Sequence, residues 1–172
     1  AKNSGRYEMV ATNCTTGCAE YFEEKSDPER IIDIVRASSS LPFVTPISYV
    51  DGRPMLDGGI ADSIPVVRAT EQGFDNCLVV LTRNAGYRKS AKPSFVPWFA
   101  YRRYPMLQEA IRHRNAEYNK QMELVERLES EGRITVIRPE RPIEVGRMER
   151  DTHRLLALYN EGYDLASKVE IG

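Results

Sequence analysis

Two short apolar runs constrain this fold more than any other feature. They are Cys77-Leu78-Val79-Val80-Leu81, inside 76–82, and Ile134-Thr135-Val136-Ile137, inside 134–138. Each is short, rich in β-formers and bounded by turn residues, the pattern of a strand buried on both faces. Between them lies one long helical segment, from about Pro105 to Glu131. A strand, a crossover helix and a second strand make a βαβ unit, so the two runs are expected as neighbouring parallel strands covered by helices. The class is therefore α/β.

The totals set wide bounds. At 172 residues one domain, 1–172, is expected, and 41% apolar with 28% charged residues is ordinary for a globular chain. A formal net charge of −1 gives the chain as a whole no bias toward nucleic acid or membrane. No apolar run approaches the ~18 residues of a spanning helix. Cys14, Cys18 and Cys77 cannot all pair internally, which favours a reducing compartment. Cys14 and Cys18 have C-x-x-x-C spacing, but zinc needs a second ligand pair and His113 and His153 are remote, so no metal is expected. The expectation is two buried or half-buried thiols in a hairpin.

That hairpin comes first, with strands at 7–12 and 18–23. Ser26-Asp27-Pro28-Glu29 then opens a helix to about Ser38, with a capping side chain, proline in the first turn and an acid at the positive end of the dipole. Asp62 or Ser63 is expected to cap a short helix from Pro65 to about Gln72, closed by Gly73. On the long helix Tyr104, Ile111, Tyr118 and Val125 recur every seven residues, while Arg114 and Gln121 interrupt the companion stripe of Leu107 and Leu128. A helix packed on a sheet through one face fits better than a coiled-coil seam. Asp151 caps a last helix to about Val169, with Leu155, Tyr159, Tyr163 and Ala166 on one stripe.

The chemistry is expected at the turn after the first helix. Ala37-Ser38-Ser39-Ser40-Leu41-Pro42 ends it, and a hairpin follows that turns at Asp51-Gly52. Fifteen residues after Pro42 comes Asp57-Gly58-Gly59. One acid at a strand end, followed by backbone that can take positive φ or approach another group closely, suits a placed general base. A plain tight turn with a solvated Asp is the competing reading.

Together the A-S-x-x-x-P and D-G-G motifs resemble the patatin-like family of lipid acyl hydrolases. The resemblance implies a three-layer α/β/α fold, a parallel or mixed sheet with helices on both faces. It implies a serine nucleophile from a G-x-S-x-G elbow, the Asp of D-G-[GA] as its base, no histidine and no cofactor. Carried over, Asp57 is the base, Gly58 and Gly59 shape its turn, and Ser39 and Pro42 lie near the site. Family members often show Asn-x-Pro downstream, where this chain has Ser63-Ile64-Pro65. Leu158-Tyr159-Asn160-Glu161-Gly162-Tyr163 also resembles the closing helix of bacterial members. Neither G-x-S-x-G nor a G-x-G-x-[RK]-G oxyanion loop occurs, and only 36 residues precede Ala37. The expectation is the C-terminal portion of a patatin-like domain, carrying the base alone and inactive by itself. With the N-terminal part missing, a sheet edge or apolar face is expected to stand open and to recruit a second copy.

Arg83 to Arg114 is basic and aromatic. Eight Lys or Arg residues face one acid, Glu109, a local +7 among Tyr87, Phe95, Trp98, Phe99, Tyr101 and Tyr104. Such a surface suits lipid headgroups, as a docking surface or lid. Stacked nucleic acid and a loop packed down on the domain are the competing readings. The leading expectation is a lipid ester hydrolase, cytoplasmic or peripheral at the inner membrane surface, with no nucleic-acid partner. The alternatives are a Ser-Asp-His triad using His113 or His153, and a non-catalytic membrane- or partner-binding module built on 83–114.

Overall fold

The computed structural model describes residues 5, 7–74, 76–146 and 149–169. In chain order its elements are β1 (Glu8–Asn13), β2 (Ala19–Glu23), α1 (Pro28–Ser38), β3 (Ser48–Val50) and β4 (Arg53–Asp57). A short 3-10 turn (Gly58–Ile60) follows, then α2 (Val66–Glu71), β5 (Cys77–Val80), α3 (Pro105–Ser130), β6 (Ile134–Ile137) and α4 (Thr152–Ser167). They group into two compact units. One holds the chain up to Pro65 together with Lys89–Met122, the other Val66–Arg88 together with the chain from Glu123 onward.

The first unit is built on an antiparallel sheet of order β2-β1-β4-β3. Both hairpins follow from turn chemistry. Asn13 Oδ1 accepts from the amide of Thr15 at 2.8 Å, and the Asn13 amide bonds the Cys18 carbonyl at 2.9 Å. Asp51 and Gly52 have φ of 51° and 75°, the paired positive values of a two-residue hairpin turn whose twist matches its strands. Helix α1 starts where Asp27 accepts from the amides of Glu29 and Arg30, at 3.0 and 3.2 Å. Its Ile34 and Ala37 are buried with Met9, Ala11, Phe22, Val50 and Met55. Burial of Ile34 alone contributes about 1.5–3 kcal/mol. A second cluster joins Cys14, Leu56 and Ile60 to Val96, Leu107 and Ile111.

In the second unit β5 and β6 pair in parallel, with Cys77 opposite Ile134 and Val80 opposite Ile137. The expected α/β class and the expected parallel pair are both present. The parallel pair and the antiparallel sheet are separate sheets. One detail differs. Leu78 and Val80 are exposed, Val80 at 67%, so β5 is covered on one face only among the described residues. An uninterrupted apolar run records what a strand can bury, and says nothing of which segment does the covering.

Two further expectations change in detail. Asp62 and Ser63 do not serve as helix caps. The Asp62 carboxylate accepts from Tyr21 and Gln121, and Ser63 Oγ donates to the Gly59 carbonyl at 2.8 Å. On α4, capped by Asp151 as expected, the stripe of Leu155, Tyr159, Tyr163 and Ala166 is exposed. Leu158 and Leu165 are the half-buried residues, lining a cleft with Leu81 and Ile137. The helix carries two apolar stripes, and the one with tyrosine hydroxyls faces water. Among the described residues no helix is long and apolar enough to cross a membrane.

Candidate active site at the Asp57 turn

Strand β4 delivers Asp57 to its end, where Ala11 of β1 stands opposite. Three segments then fix it. Its amide donates to the Ser40 carbonyl at 2.9 Å. Its carbonyl accepts from Thr12 Oγ1 at 2.8 Å, and the same hydroxyl accepts from the Ala61 amide at 3.3 Å. Its carboxylate Oδ1 accepts from the Gly59 amide at 2.7 Å, capping the 3-10 turn. Asp57 is half-buried, and Oδ2 has no hydrogen-bond partner among the described residues.

The glycines are required for space. Neither Gly58 nor Gly59 has positive φ, so the left-handed backbone allowed for at this turn is not used. A Cβ on Gly58 would stand 2.0 Å from Val10 Cγ1 and 2.5 Å from the Val10 carbonyl oxygen, inside strand β1. A Cβ on Gly59 would stand 3.0 Å from Asp57 Oδ1 and 3.7 Å from Ser63 Oγ. The first glycine lets the turn lie against the sheet, and the second leaves room for the carboxylate.

Of the serine-rich segment, Ser40 makes the contact with Asp57. Its side chain is committed to structure, with Oγ donating to the Arg36 carbonyl at 2.7 Å and lying 2.8 Å from Ser48 Oγ. Ser39 is exposed and closes α1, its amide shared between the carbonyls of Val35 and Arg36. Pro42 is half-buried and opens the next turn, in which Phe43 has φ of 66° and donates its amide to Tyr101 Oη at 2.9 Å.

A second carboxylate lies five residues on. Asp62 is buried, with Tyr21 Oη at 2.5 Å on one oxygen and Gln121 Nε2 at 2.7 Å on the other. Gln121 Oε1 in turn accepts from the Ile64 amide at 3.0 Å. Thr12, Tyr21 and Gln121 are thus parts of the site's frame that motif reading missed. Only Gln121 left a trace in the sequence, as a polar break in the apolar stripe of α3.

The described partners of Asp57 include no imidazole. His113 is exposed on α3, with Nδ1 3.1 Å from Glu109 Oε1, and His153 is exposed in the first turn of α4. The Ser-Asp-His alternative therefore lacks its third member among the described residues. Cys14 is buried as expected, and burial pushes its thiol up to about 11 against a smaller opposing backbone hydrogen bond. Cys18 is exposed, contrary to expectation, because it lies between the turn and the first residue of the edge strand β2, outside the sheet.

Residues 8–70 match the patatin-like phospholipase family, a span that holds β1 to β4, α1 and the Asp57 turn. Residues 104–169 match a domain of unknown function, DUF6363. The chain is also similar to the uncharacterized protein YjjU of Escherichia coli (strain K12), 29% identical over 115 residues, which is 65% of this chain and 32% of that protein. It spans about a third of that relative's length. The D-G-G turn, its strand and the A-S-x-x-x-P segment fold together inside the matched span, so residues 8–70 are the part of the chain that is patatin-like.

Proposed function

We propose that Asp57 is the general base of a serine acyl hydrolase acting on lipid esters, with the nucleophile on residues outside these 172. The observation that carries this reading is the state of the carboxylate. One oxygen is fixed by the Gly59 amide and the other has no partner among the described residues. A base needs a fixed position and an unoccupied lone pair. In the proposed reaction Oδ2 takes the serine proton as Oγ attacks the ester carbonyl. Backbone amides of a glycine-rich loop, which the family resemblance implies, hold the oxyanion while the protonated Asp57 gives that proton to the departing alcohol. The Asp57 carboxylate then takes a proton from the water that attacks the acyl-enzyme and returns it to serine Oγ as the carboxylic acid leaves. A two-residue mechanism asks no imidazole of Asp57, which bonds Ser40, Thr12 and Gly59 among the described residues.

A general base alone supplies roughly 10²–10⁴-fold in rate, whereas enzymes typically lower their barriers by about 8 kcal/mol or more. The 172-residue chain is therefore expected to be inactive by itself. The test is release of p-nitrophenol from a medium-chain ester, by this chain and by an upstream-extended chain, each with and without Asp57→Asn. The short chain should match its own variant. The extended chain should turn over, and Asp57→Asn should lower its kcat by about 10²-fold or more with the fold intact. Activity in the short chain, or an extended Asp57→Asn protein that still turns over, refutes the assignment.

A further inference from the structure

We infer that residues 95–103 form an interfacial docking surface for an anionic phospholipid bilayer. The inference stands apart from the role of Asp57 and uses residues of the first unit alone. The segment's aromatic residues divide into two sets. Val96 is buried, and Tyr101 and Tyr104 pack with it on the cluster that holds Leu56 and Ile60. Phe95, Trp98 and Phe99 point outward and are 84%, 76% and 64% exposed. Fraying does not account for this exposure. The Ala100 amide donates to the Pro97 carbonyl at 3.0 Å, and Gln108 Nε2 donates to the Ala100 carbonyl at 2.6 Å. The Tyr104 amide donates to the Tyr101 carbonyl at 2.7 Å. The loop is tied down from beneath and offers three large rings to the outside.

Charge identifies what the rings meet. From Lys89 to Arg114 six Lys or Arg residues face the single acid Glu109, a local +5 in a chain of net −1. Arg102 and Arg103 are exposed and follow the rings in sequence, with the Arg102 guanidinium 5.5 Å from the Trp98 centroid. Trp and Phe at headgroup depth, with guanidinium groups at the phosphates, is the arrangement of an interfacial anchor for an anionic leaflet. A single-stranded nucleic acid would need free ring faces for stacking. Here Arg102 lies over Trp98, and Trp98 meets Phe99 at 89°. The surface also adjoins the site's frame, because Tyr101 accepts the Phe43 amide and Phe43 lies three residues from Ser40.

Trp98 is the one tryptophan of the chain and so reports its own environment. The chain is titrated with vesicles of pure phosphatidylcholine, and with vesicles of which about a third is phosphatidylserine. Co-sedimentation and Trp98 emission are followed together. Binding to the anionic vesicles with a blue shift is expected, at least about tenfold tighter than to the neutral ones. Arg102→Gln with Arg103→Gln should weaken anionic binding roughly thirtyfold and leave neutral partitioning unchanged. Phe99→Ala, which keeps the reporter, should weaken both by about tenfold. All these side chains are exposed, so circular dichroism should not change, and Asp57→Asn should bind as the parent does. Failure to sediment, binding without a blue shift, or variants that bind as the parent does would overturn the proposal. So would a blue shift that grows with protein concentration alone, which means a second copy, or one that a single-stranded oligonucleotide produces and vesicles cannot displace.

Discussion

Gly58→Ala tests whether the Asp57 turn is packed as described. The added Cβ would fall 2.5 Å from the Val10 carbonyl oxygen. Carbon contacts are comfortable at about 3.5 Å, so the turn and β1 must part by about 1 Å. Val10 Cγ1 can rotate away, but the carbonyl belongs to a strand paired with both β2 and β4. Separation would also stretch the 2.8 Å bond from Thr12 Oγ1 to the Asp57 carbonyl. Overpacking costs about 1–3 kcal/mol, and a strained hydrogen bond adds about 1 kcal/mol, for roughly 3 kcal/mol in all. In a chain of this size that lowers Tm by about 6–12 °C. Gly59→Ala meets only the Asp57 carboxylate, at 3.0 Å, and that group can turn. Its Tm should fall by no more than about 3 °C, while the Gly59 amide bond to Oδ1 is disturbed. Thermal unfolding by far-ultraviolet circular dichroism separates the two. A Gly58→Ala protein within about 2 °C of the parent, or a Gly59→Ala protein that is the less stable of the pair, refutes the steric account.

Thr12→Val keeps the shape of a buried side chain and leaves the Asp57 carbonyl without its donor. It should cost about 1–3 kcal/mol in urea unfolding, and Thr12→Ser, which keeps the hydroxyl, about 1 kcal/mol; Val no worse than Ser would remove Thr12 from the frame. Acid stability should depend on Glu24 and Asp51. The amide and hydroxyl of Ser26, then the amides of Asp27 and Lys25, hold Glu24 well below the usual carboxylate range, and the Arg30 guanidinium holds Asp51 below its own. A carboxylate depressed in the folded state stabilises fully above its unfolded pKa and loses that contribution as pH falls through the folded value. Glu24→Gln with Asp51→Asn should therefore flatten the loss of stability below about pH 4, and an unchanged acid-unfolding profile would show that these contacts do not persist in solution.

What the sequence made legible was local. Asp51-Gly52, Asp27-Pro28 and Asp151 each specify a turn or a cap through their own side chains and backbone, and each appears where expected. The parallel pair was legible because two β-rich apolar runs flank one long helix. What was hidden depends on distant register. Thr12 meets Asp57 across 45 residues and Gln121 meets Asp62 across 59, and a threonine on a strand reads the same whether it is buried or exposed. Why Gly58 must be glycine was hidden for the same reason, since nothing near it in sequence announces Val10. Leu78 and Val80 read as buried from their neighbours, although burial is decided by whatever lies above the sheet.

The loop from Ser40 to Phe43 connects two parts of the first unit that sequence motifs treat separately. At one end the Ser40 carbonyl fixes the Asp57 amide, and at the other the Phe43 amide reaches Tyr101. Tyr101 belongs to the same apolar cluster as Leu56 and Ile60, the residues that flank the D-G-G turn. The segment from Val96 to Tyr101 and the residues flanking the Asp57 turn therefore pack on one apolar cluster. Exposed-face substitutions such as Phe99→Ala remove ring area that the cluster does not use. Substitutions in the cluster would disturb the loop and the Asp57 turn together. This difference is what allows the two proposals, lipid binding and ester hydrolysis, to be refuted independently.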